Sequence, residues 1–324
     1  MRAVQVQQAG GPEVLEVVDV EPPEPGPGEV LVDVGTAGVN YIDTYQRSGI
    51  YPMSTPFVLG IEGAGTVRAL GAEVRDVAVG DRVAWKDAIG SYAEQAVVPV
   101  GQLVPVPDDV PDELAAALLL QGMTAHYLCT SLYPVREGDW VVVHAGAGGV
   151  GLLLTQMVKM RGGRVLATVS TPEKAELARG AGADEITSYE TFVDRARELT
   201  GGAGVACVYD GVGQATFEQG LQALRIRGTM ALFGAASGPV PPVDPQRLNA
   251  NGSLFLTRPT LAHYARDHTE LLERARDLLG WVVDGRLDVR VGGQYPLTEA
   301  RRAHEDLQAR RTTGKLVLLP TTSP

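Results

Sequence analysis

The stretch HAGAGGVG, residues 144–151, restricts what this chain can fold into more than any other. It follows the apolar run DWVVVH and precedes LLLTQMVKMRGG. A strand therefore runs into a glycine turn that opens an amphipathic helix, the setting a G-x-G-x-x-G motif requires. Gly146, Gly148 and Gly151 are the motif glycines, with Ala147, Gly149 and Val150 between them. Glycine lets the backbone turn sharply and lets a phosphate come close. The helix start adds unpaired N–H groups and a positive dipole end. Outside a strand–helix setting the same letters would mark only a tight turn; here they predict a dinucleotide cradle.

Which dinucleotide is decided at the end of the next strand, RVLATVS. A site for NADH places Asp or Glu there, against the ribose 2′-hydroxyl. This chain has Ser170 and Thr171, with Lys174 close behind. Hydroxyls and an ammonium accept a 2′-phosphate that a carboxylate would repel. The expected cofactor is NADPH.

The same alternation continues around the loop. From residue 139 onward, apolar strands (DWVVVH, RVLATVS, VACVYDGVG, GTMALFGAA, SLFLT) alternate with helical stretches. One of these, TPEKAELARGAGA, has Thr171 as N-cap and Pro172 at its first helical position. Near-continuous apolar strands between helices predict a parallel sheet covered on both faces. Earlier residues read as short strands split by Pro/Gly turns, with no sustained helical period until PDELAAALLLQGMTAHYL. Past residue 260, helical stretches precede a closing strand, GKLVLLP.

Charge and composition remove other classes. A net charge of −11 argues against general binding to nucleic acid or to an anionic membrane surface. No run nears the roughly 18 apolar residues of a membrane span, and the N-terminal stretch lacks a signal-peptide core. A cytoplasmic protein is expected. The two cysteines, Cys129 and Cys207, cannot alone make a thiolate-rich zinc site and read as small buried hydrophobes.

Taken together with GVNYIDTYQRSGIY (38–51), GIEGAGTV (60–67), VGDRV (79–83), VYDGVG (208–213), GSLFLTRPTL (252–261) and RRTTGKLVL (310–318), the glycine loop resembles the medium-chain dehydrogenase/reductase superfamily. The match is to its zinc-free quinone oxidoreductase, or zeta-crystallin-like, branch, and it covers essentially the whole chain. The resemblance implies an α/β protein. A GroES-like, mostly-β catalytic domain (1–122) would be followed by a doubly wound Rossmann NADPH-binding domain (123–260). A C-terminal segment (261–324) would return to the first domain, with the active cleft between them. Zinc-dependent members carry a cysteine where this chain has Asn40 and a histidine where it has Ile61. Neither residue offers the ligand tetrahedral zinc needs, and the cysteine-rich lobe of a structural zinc is missing, so no metal is expected. Glu62 remains, as a paired buried acid.

Chemistry without a metal is reasonable for a quinone. A hydride turns it into a phenolate-like anion whose conjugate acid has a pKa of about 10, far below an aliphatic alcohol. Positioning and a few neutral donors then suffice. Asn40, Tyr45 and Tyr51 are the expected catalytic residues, the amide as donor and the rings as flat faces for a planar acceptor. Asp43 reads as a local turn or salt-bridge acid, and His144 as a packed, hydrogen-bonded residue. By resemblance, further cofactor contacts come from Asn40, Thr124, Tyr189, Gly213, Phe233, Gly234, Phe255 and Thr257. Arg310 joins them, with Arg311 beside it as the alternative. SLFLT, as an edge strand, could pair with its twofold mate and make a homodimer. Two other functions share these features: a zinc-free alkenal/enone reductase, and a non-catalytic NADPH-binding protein of crystallin-like or RNA-associated role.

Overall fold

The structure, a computed structural model, describes residues 1–320; the last four residues of the expected C-terminal segment, 321–324, lie outside the described residues. The chain divides into two units, Met1–Leu120 together with the stretch from Ala265 onward, and Gln121–Tyr264.

The first unit opens with β1 (Arg2–Val6), β2 (Leu15–Asp19), the long β3 (Glu29–Val39), helix α1 (Tyr41–Arg47) and β4 (Phe57–Val58). It continues through β5 (Glu62–Leu70), β6 (Arg82–Trp85), β7 (Gln95–Pro99) and β8 (Val104–Pro105). Helix α2 (Asp112–Tyr127) leads into the second unit. There the chain alternates: β9 (Trp140–Val143), α3 (Gly149–Met160), β10 (Arg164–Thr168), α4 (Pro172–Gly180), β11 (Glu185–Thr187) and α5 (Phe192–Leu199). β12 (Val205–Asp210), α6 (Phe217–Ala223), β13 (Leu224–Leu232), α7 (Gln246–Ala250) and β14 (Phe255–Thr257) complete it. The return to the first unit consists of α8 (His268–Val283), β15 (Val291–Pro296), α9 (Ala300–Gln308) and β16 (Lys315–Leu319).

In the second unit the strands run β11-β10-β9-β12-β13-β14, every neighbouring pair parallel. From β9 the sheet grows first one way and then the other, the doubly wound order whose reversal creates a crevice at the strands' C-terminal ends. Helices cover both faces, so these strands are apolar on both sides: all six residues of β12 are buried. Val142, Leu166, Val208, Phe217, Leu221 and Met230 form the packed centre.

The first unit is mostly β. Its larger sheet runs β15-β16-β3-β5-β6-β8, with β7 also on β3, and a smaller sheet runs β2-β1-β4. Their shared core includes Val30, Val32, Val67, Trp85, Tyr92, Leu316 and Leu318. β16 pairs antiparallel with β3, setting Leu316 opposite Val39. That register carries Lys315 back to Asn40 across most of the sequence. The predicted combination of a mostly-β unit and a doubly wound parallel sheet is the observed fold class.

One element departs from expectation. Periodicity predicts no helix before PDELAAALLLQGMTAHYL, yet α1 forms at residues 41–47. Seven residues are too few for a helical period to register. What starts this helix is local chemistry: Asn40 is its N-cap and Asp43 its third residue, in a reciprocal capping box.

Candidate active site

The glycine loop occupies the C-terminal ends of β9 and β10. The Gly146 N–H donates to the Thr168 carbonyl oxygen at 3.0 Å. A Cβ on Gly151 would stand 2.3 Å from the Ala145 carbonyl oxygen, and one on Gly146 would stand 2.8 Å from the Ala167 Cβ. A backbone oxygen cannot move aside, so glycine is required at Gly151 by space as well as by pattern. Gly148 caps α3 without any side-chain hydrogen bond, which leaves the first-turn N–H groups for an outside acceptor. This cradle fits a pyrophosphate.

Of the other residues singled out in the sequence, Tyr189 contacts this loop. The Ala145 N–H donates to the Tyr189 hydroxyl at 3.2 Å, and the Tyr189 ring lies 5.8 Å from the His144 ring. Ser170 and Thr171 are exposed just past β10, and Thr171 Oγ1 accepts the Lys174 N–H at 3.3 Å as cap of α4. Gly213 has a left-handed φ of 91° and is held through its N–H by Asp210 Oδ1 at 2.9 Å. Gly234 packs so closely on Gly211 that a Cβ would come within 2.5 Å of its carbonyl oxygen, and the Phe233 ring lies against Gly211 as well. Thr124 is buried on α2. Thr257 is half-buried on the edge strand β14, and Phe255 beside it is 61% exposed.

The first unit holds a different kind of centre. Glu62 is fully buried; its Oε1 accepts the Leu120 N–H at 2.7 Å, and its Oε2 accepts from Asn40 Nδ2 at 2.8 Å and Lys315 Nζ at 2.5 Å. Lys315 Nζ also donates to Asn40 Oδ1 at 2.6 Å. The paired buried acid expected at Glu62 is present, and its partner is Lys315. The Asn40 amide, expected as a donor, is itself engaged within this cluster. Its oxygen and one of its N–H groups are bound within the protein, and the other N–H has only a long contact with the Gly38 carbonyl, 3.4 Å.

A second chain of bonds runs from the start of α1 to its end. Asp43 Oδ2 accepts the Asn40 N–H at 2.7 Å and the Tyr92 hydroxyl at 2.9 Å. Tyr92 Oη lies 3.1 Å from His304 Nε2, and His304 Nδ1 lies 3.0 Å from Arg47 Nη1. Arginine only donates, so Nδ1 accepts and Nε2–H donates to Tyr92, whose own proton goes to Asp43. The histidine is thus neutral: burial, reinforced by the Arg47 charge, pushes its pKa down to about 3. Burial lifts the Asp43 carboxyl to about 7 even though the Asn40 and Tyr92 hydrogen bonds and Lys315 oppose it. The local role expected of Asp43 takes the form of a helix cap: its carboxylate accepts the Asn40 N–H at the start of α1.

Tyr45 and Tyr51 lie edge to face with ring centroids 5.5 Å apart, and Tyr51 is 40% exposed. Arg311 Nη2 pairs with Asp306 Oδ1 at 2.8 Å. His144 is buried as expected, with Nδ1 on the Thr168 hydroxyl at 2.9 Å. Cys129 and Cys207 are buried, and burial pushes both thiols up, Cys129 to about 12. Among the described residues, no group of three His, Cys, Asp or Glu side chains is arranged to hold a metal ion, and no helix is long and apolar enough to cross a membrane. Sequence reasoning missed Lys315, Tyr92, His304 and Arg47. The lone Lys opening the apolar strand GKLVLLP was the available signal.

Comparison with known proteins identifies the family. Residues 26–108 match the Alcohol dehydrogenase GroES-like domain, and residues 149–279 match the Zinc-binding dehydrogenase family. A quinone oxidoreductase from Pseudomonas aeruginosa is 46% identical over 98% of this chain and 99% of its own. A 2-haloacrylate reductase from a Burkholderia species is 40% identical over 98% of each chain. A mycobacterial protein solved in complex with NADPH superposes with a TM-score of 0.97 at 54% identity, covering 99% of this chain and all of that one.

Proposed function

The chain belongs to the quinone oxidoreductase branch of the medium-chain dehydrogenase/reductase superfamily, and from that premise we propose that it is an NADPH-dependent quinone reductase needing no catalytic metal. The observation that carries the reading is the glycine cradle at the start of α3, followed at the end of β10 by Ser170, Thr171 and Lys174 in place of a carboxylate. NADPH, when bound, supplies the hydride.

This chain's residues do the rest. The loop of residues 146–151 and the first turn of α3 bind the pyrophosphate, while Ser170, Thr171 and Lys174 take the 2′-phosphate. Tyr189 borders that phosphate, and Thr124, Gly213, Phe233, Gly234, Phe255, Thr257 and Arg310 supply the remaining cofactor contacts. Tyr45 and Tyr51 offer ring faces to the quinone. Asn40 presents its loosely held second N–H to the quinone oxygen, where negative charge builds up. The metal-free reading is supported by the side chains at the positions zinc would need. Ile61 is apolar and buried, and Asn40 and Glu62 are already bonded to Lys315.

The labour divides along the domains expected at 1–122, 123–260 and 261–324. The exposed Phe255 on edge strand β14 supports a homodimer through that edge, and the acidic chain suits the cytoplasm. The test is single-turnover oxidation of NADPH-loaded protein by a 1,4-quinone, followed by nicotinamide absorbance. Rapid, stoichiometric oxidation is expected; an inert complex would instead favour a non-catalytic NADPH-binding protein. A second reading, reduction of an activated alkene, is favoured by the likeness to the 2-haloacrylate reductase. Steady-state rates on α,β-unsaturated carbonyl acceptors, measured beside quinones, decide between the two.

A further inference from the structure

Lys315 lies outside every expected function, yet it is among the most deeply buried cations of the molecule, 1% exposed. It opens β16, and the β16–β3 register delivers it to the end of β3, where Asn40 begins α1. Its ammonium can only donate and the Glu62 carboxylate can only accept. Between them they leave the Asn40 amide a single orientation. Oδ1 must face Lys315 at 2.6 Å and Nδ2 must face Glu62 at 2.8 Å. Were the amide flipped, its NH2 would face the ammonium and its oxygen the carboxylate, two repulsive contacts between buried groups. With one N–H taken by Glu62, the second is directed by the same constraint and held only by the 3.4 Å contact to Gly38.

We propose that Lys315 is a positioning residue for the reduction: with Glu62 it sets the Asn40 amide so that a single N–H, and never the carbonyl oxygen, is offered to the acceptor. The inference rests on the reading of Asn40 as the donor to the quinone. Glu62 strengthens the lock from a third direction, because its other oxygen is anchored on the Leu120 N–H of α2 at 2.7 Å. Neither charge touches the substrate; both act through the amide.

A single Lys315→Met change leaves Glu62 buried without its counterion and can unfold the protein for that reason alone. The decisive variant is therefore the double change Lys315→Met, Glu62→Gln, which removes both charges and keeps the volume. The neutral amide that replaces the Glu62 carboxylate can offer either oxygen or nitrogen to Asn40, so the protein folds but the amide orientation is lost. The expected result is an unchanged urea midpoint, NADPH affinity within about twofold of the parent by calorimetry, and kcat for 1,4-benzoquinone lower by roughly tenfold or more. A purely structural role for the pair predicts instead that activity returns together with stability. A stable double variant with the parent's kcat overturns the proposal. Asn40→Ala is measured alongside. If it is slow while the double variant is fast, the reading of Asn40 stands and the role of Lys315 falls. If Asn40→Ala itself keeps full kcat, both fall together.

Discussion

The glycine cradle of the second unit and the buried polar cluster of the first do comparable work by opposite means. The cradle works by omission: at Gly146 and Gly151 a single added carbon would collide with the neighbouring chain, and α3 is left without a side-chain cap. Its parts lie within a few turns of chain from one another. The cluster works by pairing. Glu62 meets Asn40 through the β3–β5 pairing, and Lys315, from the far end of the sequence, joins them because β16 pairs with β3. Changing the cradle should therefore cost ligand binding with little effect on folding elsewhere. Changing the cluster should cost stability while leaving the nucleotide site intact.

The largest effect that sharpens this contrast is Lys315→Met alone. Leaving Glu62 buried and unpaired should destabilise the protein by about 3–5 kcal/mol in urea unfolding, while whatever remains folded binds NADPH normally. A loss below about 1 kcal/mol would break the contrast. Next is Gly151→Ala, whose Cβ would meet the Ala145 carbonyl oxygen at 2.3 Å. NADPH affinity should fall by about a hundredfold, a loss of roughly 2.7 kcal/mol read by calorimetry.

Titration probes the cluster without removing it. The Asp43 carboxyl is raised from 3.8 to about 7, so the folded state prefers it protonated. Its contribution to stability is fully present below the ordinary value and is lost as pH rises towards 7. Asp43→Asn should flatten unfolding free energy across that window relative to the parent. His304 has the opposite sign: its pKa is lowered from 6.5 to about 3, so its contribution holds above 6.5 and is lost as pH falls through 3. A parent curve that is flat across both windows would remove these assignments.

Smaller again is Lys174→Glu, which should weaken NADPH by roughly tenfold, about 1.4 kcal/mol, and leave NADH nearly unaffected. Equal losses for the two nucleotides would place the 2′-phosphate elsewhere. Thr171→Ala should cost least, about 1 kcal/mol of stability through its lost cap on the Lys174 N–H.

The same contrast explains what could be read from the sequence. The cradle was legible because its signals are local: an apolar strand, three spaced glycines, a helix, then Ser170, Thr171 and Lys174. The doubly wound sheet was legible because strands buried on both faces must be apolar throughout. Asn40 and Glu62 could be singled out by position, but their condition could not, since the cation that occupies them lies 253 residues from Glu62. Tyr92, His304 and Arg47 were missed for the same reason. A hydrogen-bonded chain assembled from separate elements leaves no periodicity. Helix α1 escaped because seven residues are too few to show a pattern; its Asn40–Asp43 capping pair was the only local trace.

Calorimetric titration of the purified protein with NADPH, and in parallel with NADH, tests the account at its base. One equivalent of NADPH per chain, bound at least about tenfold more tightly than NADH, is the predicted result. Absence of NADPH binding heat across several temperatures, or equal affinity for the two nucleotides, would contradict it.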